Sequence, residues 1–451
     1  MRVERRSVLR YLPWSDWRIA TLLLVALAFG GGGPSRGILN LVVQAVALAL
    51  VLFDWAGMRS RIGSLGWPLK ALALATLALP LSQLIPLPPS LWHGLPGRDL
   101  VFQSLSILGA EQEWFPLSVD RGRTVAAVFA LVTPLTAILL YRPDHRNASQ
   151  KALELIVFLG LVQFTIGSLQ LLVGGTALNL YPVVEQGRLY GLIANHNTVG
   201  LFFVVCLCSL IGLTSDMTSR SLRLGAAIAI GLLFVIGTLL TNSRSATVLL
   251  AVPLALVLWR IFLAQGTAGL ARRWKTGLAV TGGLGLLVAA MALVQTRIGR
   301  TWDRFDSLKD TRTGIWEDAL SASERYWPIG SGLGTFDEVF QIEESLETLV
   351  PAFARHAHND YLEVLVEAGL FGALVVVCWG LLLAMSWWLK GRSESFLVAN
   401  SVGAAILSIA LQSFVDYPLR SQAMFCVAAL LVAILASHKN TQRGRAVAKT
   451  V

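Results

Sequence analysis

The stretch "ARHAHNDYLEVLVEAGLFG", Ala354 to Gly372, sets His356, His358, Asn359 and three carboxylates directly before a long apolar run. An imidazole titrates near neutral pH, so it can accept a proton where a substrate hydroxyl reacts. His356 and His358 are two residues apart and would not share a helix face. They read as an extended approach to the helix. Asp360 is placed to cap that helix, with Glu363 as its capping-box partner. Asp360, Glu363 and Glu367 also fall on one stripe at i, i+3 and i+7. A helix from Asp360 to Leu389 would be about 45 Å long, against about 30 Å for a bilayer core. Its first turns should stand in the interface, with the stripe facing a wet cavity.

Three arginines share this chemistry: Arg188 in "GRLYGLIANHN", Arg244 in "TNSRSA" and Arg312 in "DTRTGIWEDAL". Asn195, His196 and Asn197 accompany the first. The planar guanidinium bonds two phosphate oxygens at once. The Arg244 hairpin is too short for the side chain to leave the lipid boundary, where arginine is costly unless it snorkels or meets an anion. With no acidic cluster beside Arg188 and Arg244, an anionic ligand at the membrane face is expected, such as a lipid phosphate or pyrophosphate. Snorkelling is the plainer alternative for Arg244, and a solvated loop for the histidine pair. "HAHND" also fits a metal-ligating pattern, but only His93 and His196 remain as further ligands on that side, so no metal is assigned. "GSGLG" at Gly330–Gly334 follows no strand, which removes a dinucleotide reading.

These residues must be positioned by apolar elements. Of 451 residues, 55% are hydrophobic and 14% charged, whereas soluble domains carry about 25% charged residues. Mean hydropathy is +0.64, which marks a membrane protein. The net charge of +10 does not in itself make a nucleic-acid binder; its meaning lies in sidedness. Spans need about 20 apolar residues. Twelve are expected, near 18–33, 37–54, 68–87, 124–141, 152–174, 198–214, 223–241, 245–264, 276–295, 362–389, 396–415 and 421–437. Lys and Arg concentrate on one set of connections, and single arginines (Arg36, Arg188, Arg244, Arg420) mark the other hairpins. By the positive-inside rule both termini are then cytoplasmic. The resulting organisation is 1–295 with helices 1–9 and outer loops 88–123 and 175–197; 296–361 as a large, partly helical outer loop; 362–437 with helices 10–12; and 438–451 as a cytoplasmic tail. The four cysteines lie in apolar runs and form no disulfide framework.

At "RHAHNDYLEVLVEAGLFG" the sequence resembles the O-antigen ligase and polymerase family of bacterial envelope glycosyltransferases. The matching positions are His356, His358, Asn359, Tyr361, Leu362, Glu367 and Gly369. "GRLYGLIANHNTVGLFF", "TNSRSA" and "TRTGIWEDAL…WPIGSGLGTF" resemble further family segments in the same order, over roughly residues 185–375. The resemblance implies an all-α, GT-C-like polytopic fold in the bacterial inner membrane, with its active site facing the periplasm. It implies transfer of a glycan from undecaprenyl pyrophosphate to a sugar hydroxyl, on lipid A-core or on another lipid-linked glycan. Inversion at the anomeric carbon, no metal and no cofactor are implied too. Under that reading Arg188, Arg244 and Arg312 clamp the pyrophosphate, while Asn195, His196, Asn197 and Asn359 line the site. His358 is the expected base, with His356 behind it, and Glu367 orients the histidine or the acceptor. "WFPLSVDRGRT" tilts the choice slightly towards a polymerase. The rival class is a twelve-span transporter or flippase, which would place ionisable groups at the span centres; here they collect on one side. A scaffold would need neither hairpin arginines nor a long outer loop.

Overall fold

The computed structural model describes residues 17–32, 37–145, 147–174, 178–181, 187–214, 222–264, 311–346, 355–390 and 396–437. Apolar runs become helices because a helix in hydrocarbon satisfies its own backbone groups. Helices α1 (Trp17–Phe29), α2 (Gly37–Phe53), α3 (Trp55–Ser64) and α4 (Trp67–Gln83) come first. A connecting segment then carries strand β1 (Pro86–Leu87), helices α5 (Pro89–Trp92) and α6 (Asp99–Ile107) and strand β2 (Phe115–Pro116), the strands pairing antiparallel. Next are α7 (Arg121–Leu140), α8 (Ala148–Val173), α9 (His196–Leu213), α10 (Leu222–Leu240), α11 (Arg244–Leu249) and α12 (Ala251–Ala264). Helices α13 (Thr311–Arg325) and α14 (Phe336–Glu343) precede α15 (Asp360–Lys390), α16 (Phe396–Gln412), a 3-10 turn at Pro418–Arg420 and α17 (Gln422–Ala436).

Among the described residues, six helices are long and apolar enough to cross a membrane: α7, α8, α9, α10, the joined pair over Arg244–Phe262, and α15. The number is seven if α2 and α3, bent by 87° at Asp54, count as one. Helices α1, α16 and α17 are apolar but shorter, and α4 has 17 residues. Every expected span coincides with a helix except 276–295, which lies outside the described residues, as does the tail 438–451. Among the described residues membrane length is thus reached at fewer places than the twelve expected.

Hydrogen bonds gather helix termini at two ends of the molecule. At one end Gly30 O, after α1, accepts from Ser421 Oγ at 3.1 Å and Ala423 N at 3.3 Å. Asp360 N donates there to Ser413 O at 2.9 Å. At the opposite end Lys390 Nζ donates to the Ile434 and Ser437 carbonyls, and Arg61 Nη2 donates to Ser437 Oγ at 2.6 Å. Helix α1 begins and α17 finishes at this second end. The axis of the bundle is α9, almost wholly buried against α8, α10 and α16. Small residues let these helices approach closely: a Cβ on Gly160 of α8 would stand 2.6 Å from Cys206 Sγ of α9.

A second, smaller core caps the first end. "TGIWEDALSASERYW" forms α13 as its amphipathic pattern implies, and the acidic stretch begins with α14. Both pack on the first turns of α15 around Ala319, Tyr326, Phe336, Phe340, Leu362 and Val366. Here α15 is broken: Gly369 has φ 53° and ψ −140°. The groups released by the break are taken up by the glycine-rich turn after α13. Ser331 N donates to Val366 O at 3.0 Å, Gly332 N to Glu367 O at 2.8 Å, and Leu370 N to Pro328 O at 2.9 Å. A Cβ on Gly369 would lie 2.2 Å from Pro328 O, so only glycine fits both the conformation and the approach. "GSGLG" and "EAGLFG" are therefore two halves of one backbone contact.

Candidate functional site

The site grows from the first turn of α15. Asn359, not Asp360, caps this helix: its Oδ1 accepts from Tyr361 N and Leu362 N, each at 3.1 Å. Asp360 is turned to the bundle instead and accepts from Ser413 Oγ at 2.8 Å. The expected stripe of Asp360, Glu363 and Glu367 exists, but it does not line a wet cavity. All three are buried and converge on Arg420 from the turn before α17. Arg420 Nη2 lies 3.0 Å from Glu363 and 2.9 Å from Glu367, and its Nε lies 3.9 Å from Asp360. Burial alone would depress the Arg420 pKa. Glu367, Glu363 and Asp360 outweigh it and raise the pKa above the ordinary arginine value, so the guanidinium is permanently charged.

Each histidine is braced by a different buried carboxylate. His356 Nδ1 lies 3.2 Å from Glu363 Oε1, and Ala357 N donates to the same oxygen at 3.0 Å. Glu363, rather than Glu367, therefore holds His356. His358 Nδ1 lies 3.2 Å from Asp416 Oδ1. His358 has φ 50°, a left-handed conformation that a bulky residue adopts only where its surroundings impose it. Tyr417 stacks on the His356 ring at 4.1 Å between centroids and meets His358 edge-on at 5.0 Å. With Nδ1–H directed at a carboxylate, either imidazole would keep its Nε2 lone pair for a substrate proton.

Asp416 links this group to the next loop, since Asn195 Nδ2 donates to its Oδ2 at 3.1 Å. Asn195 also caps α9, accepting from Asn197 N at 2.8 Å. Arg188 Nη1 donates to His196 Nε2 at 2.8 Å. This loop is held from below by two amides one heptad apart on α8. Gln163 accepts from Leu192 N at 2.9 Å and donates to Tyr190 O; Gln170 accepts from Gly191 N at 2.7 Å and donates to Gly191 O at 2.9 Å. Asn197 Oδ1 accepts from Ser243 Oγ at 2.8 Å, and Ser243 caps α11. Arg244 is the next residue and is half-buried. Ser245 then accepts from Gln412 Nε2 at 2.9 Å, beside Ser413 and Asp360.

One hydrogen-bonded web thus joins the loops of Arg188, Asn195, His196 and Asn197 to the Arg244 hairpin, to His356, His358 and Asn359, and to Glu367. Arg312 stands at the start of α13, over α15, and its side chain lies outside the described residues. His93 belongs elsewhere, its Nε2 2.8 Å from Glu111 O. Among the described residues no three His, Cys, Asp or Glu side chains are grouped so as to hold a metal ion.

Residues 228–377, from α10 into α15, match the family model described as O-Antigen ligase. They are an O-antigen ligase domain. The match covers 150 of the 451 residues and supports placing this part of the chain with the O-antigen ligase and polymerase family. No curated protein matches it. The ligase domain holds Arg244, Arg312, His356, His358, Glu363 and Glu367 but stops before Asp416, Tyr417 and Arg420, and begins after Arg188 and Asn195. Sequence reasoning counted Arg420 among the hairpin arginines without giving it a site role, and passed over Asp416 and Tyr417. The signal was "VDYPLR", a short polar hairpin between apolar runs of the same kind as "TNSRSA", whose arginine was singled out.

Proposed function

We propose that this membrane protein transfers a glycan from undecaprenyl pyrophosphate to a sugar hydroxyl at the periplasmic face, with inversion. The observation that carries the reading is the pairing of two carboxylate-braced histidines with Arg188 and Arg244 in one web at one end of a bundle that contains an O-antigen ligase domain. The acceptor oxygen attacks the anomeric carbon from the face opposite the pyrophosphate. The new C–O bond forms as the bond to the phosphate oxygen breaks. The electron pair leaves with the pyrophosphate, and the hydroxyl proton passes to Nε2 of His358. Arg188, Arg244 and Arg312 neutralise the departing charge. Asn195, His196, Asn197 and Asn359 hold the reacting groups in line. His356 takes the base role if His358 does not.

The donor phosphates and the reactive bond of such a substrate lie at headgroup depth, which accounts for polar chemistry at the mouth of an apolar helix. "WFPLSVDRGRT" is occupied with folding duties: Asp120 caps α7 and Ser118 is buried against Thr124 at 2.7 Å. It therefore lends no weight to a polymerase over a ligase. The test is reconstitution with an undecaprenyl-pyrophosphate glycan, with and without lipid A-core. A ladder of products without core means polymerase, and a single core-dependent product means ligase. Uptake of the lipid-linked glycan across the bilayer with no new glycosidic bond would replace the transferase reading with a flippase. Cysteine labels near the cap, at 311–346, should react with an impermeant reagent from the periplasm, and a label at Arg61 should not.

A further inference from the structure

The segment between α4 and α7 carries an apolar surface that the protein itself does not cover. Helix α6, "DLVFQSLSI", has five apolar residues in nine, yet none of the nine is buried. Ile107 is 86% exposed, Leu108 77% and Trp114 64%, and Leu91 and Phe102 are exposed beside them. The segment is firmly tied to the fold. Trp92 is buried and donates from Nε1 to Glu113 O at 3.0 Å. Strands β1 and β2 clip its ends together. Arg98 is buried and donates to Gly330 O at 3.1 Å, and Arg325 of α13 pairs with Asp99 at 2.7 Å. The apolar side chains are therefore presented outward by a fixed platform rather than left out of a loose loop.

We propose that α6, with Leu91 and Trp114, lies in the interface of the leaflet at the site end, its apolar side against lipid acyl chains. This rests on the chain's membrane character and not on the transfer reaction. Lipid is favoured by continuity: the outward residues Leu74 and Leu81 of α4 are exposed, and the run continues through Ile85 into the segment. A fixed apolar patch in water would lose about 25 cal/mol for each Å² left uncovered, and lipid removes that loss without a partner protein. Tryptophan at the rim is the residue type that favours the interface. The contact sets the height of the cap. Arg98 ties the lipid-borne platform to Gly330, and Gly330 sits at the break of α15, against the backbone of Glu367 and Ala368. The depth of the platform in the leaflet thereby fixes the depth of the site.

The test uses the full chain with Cys378→Ala, so that no exposed native thiol remains. Ile107→Cys, Leu108→Cys and Gln112→Cys are labelled singly with bimane and placed one copy per disc in phosphatidylcholine nanodiscs. Labels at 107 and 108 should be quenched several-fold more by lipids brominated high on the acyl chain than the label at 112, and several-fold less by aqueous iodide. Strong iodide quenching at 107 and 108, matching 112, would overturn the proposal by placing α6 in water. Protection from both quenchers would overturn it as well, since protein rather than lipid would then cover the face.

Discussion

The two ends of the bundle each carry an ion cluster, and their charge balance is reversed. At the far end one carboxylate, Asp54, lies 2.5 Å from Arg18 and 2.8 Å from Arg142, at the bend between α2 and α3. At the site end one guanidinium, Arg420, serves three carboxylates of a single helix. The Asp54 cluster is partly solvated, with side chains 17–22% exposed. Its surplus is positive and partly exposed. Glu363 and Glu367 are fully enclosed, and their surplus negative charge has no solvent to face. Glu363 lies 3.2 Å from His356 Nδ1, and Asp416 lies 3.2 Å from His358 Nδ1 alongside. The Asp54 cluster pairs only with arginines at the α2–α3 bend, whereas Glu363 and Asp416 at the site end are directed at imidazole rings and hold those rings in one orientation.

The largest effect should come from removing the unbalanced cation. Arg420→Leu removes the one guanidinium shared by three buried carboxylates, a change worth about 3–5 kcal/mol for a broken buried pair, and should lower the melting point in nanodiscs and abolish transfer. Asp54→Asn should cost only on the order of 1 kcal/mol and leave transfer intact. Equal losses from the two variants would erase the distinction between the clusters.

Next in size is the base. His358→Ala should reduce turnover by about 10²–10⁴-fold, towards the low end because pyrophosphate is already a good leaving group, with donor affinity retained. An active His358→Ala beside a dead His356→Ala would move the base two residues upstream, onto the Glu363 and Arg420 branch. Arg244→Ala should abolish or strongly reduce transfer at normal protein abundance, and Arg244→Lys should restore it in part, because a point charge lacks the fork. Full activity in both would reduce Arg244 to a snorkelling side chain.

Smaller still is the support beneath the loop. Gln163→Leu removes two buried bonds to that loop and should cost about 1–3 kcal/mol, with KM for the donor rising more than kcat falls. A change confined to thermal stability would make Gln163 structural alone. At the break in α15, Gly369→Ala should destabilise by about 1–3 kcal/mol through its strained φ, read as an earlier unfolding midpoint.

Much of this was legible in the chain. His356, His358 and Asn359 announced themselves by position, and Arg188 and Arg244 by standing alone in polar hairpins. What the pattern misassigned was the work of the acidic stripe. A capping role for Asp360 and a wet cavity for Glu363 and Glu367 are what local rules predict, and Asn359 one residue earlier satisfies the helix start just as well. Gln163 and Gln170 are polar residues inside an apolar run, and nothing local says which loop they hold.

The sequence by itself determined the helices, because in an apolar run the backbone pairs four residues away whatever the rest of the chain does. It also determined that polar chemistry gathers between spans rather than within them. Only the tertiary structure decided that Arg420, 53 residues beyond Glu367, would neutralise the stripe, and that Pro328–Gly332 would enter the break at Gly369. Those choices depend on how α15, α16 and α17 pack and on what remains unsatisfied when they do. An ion pair buried by packing is selected by the geometry of the whole bundle, and no short window of residues contains that geometry.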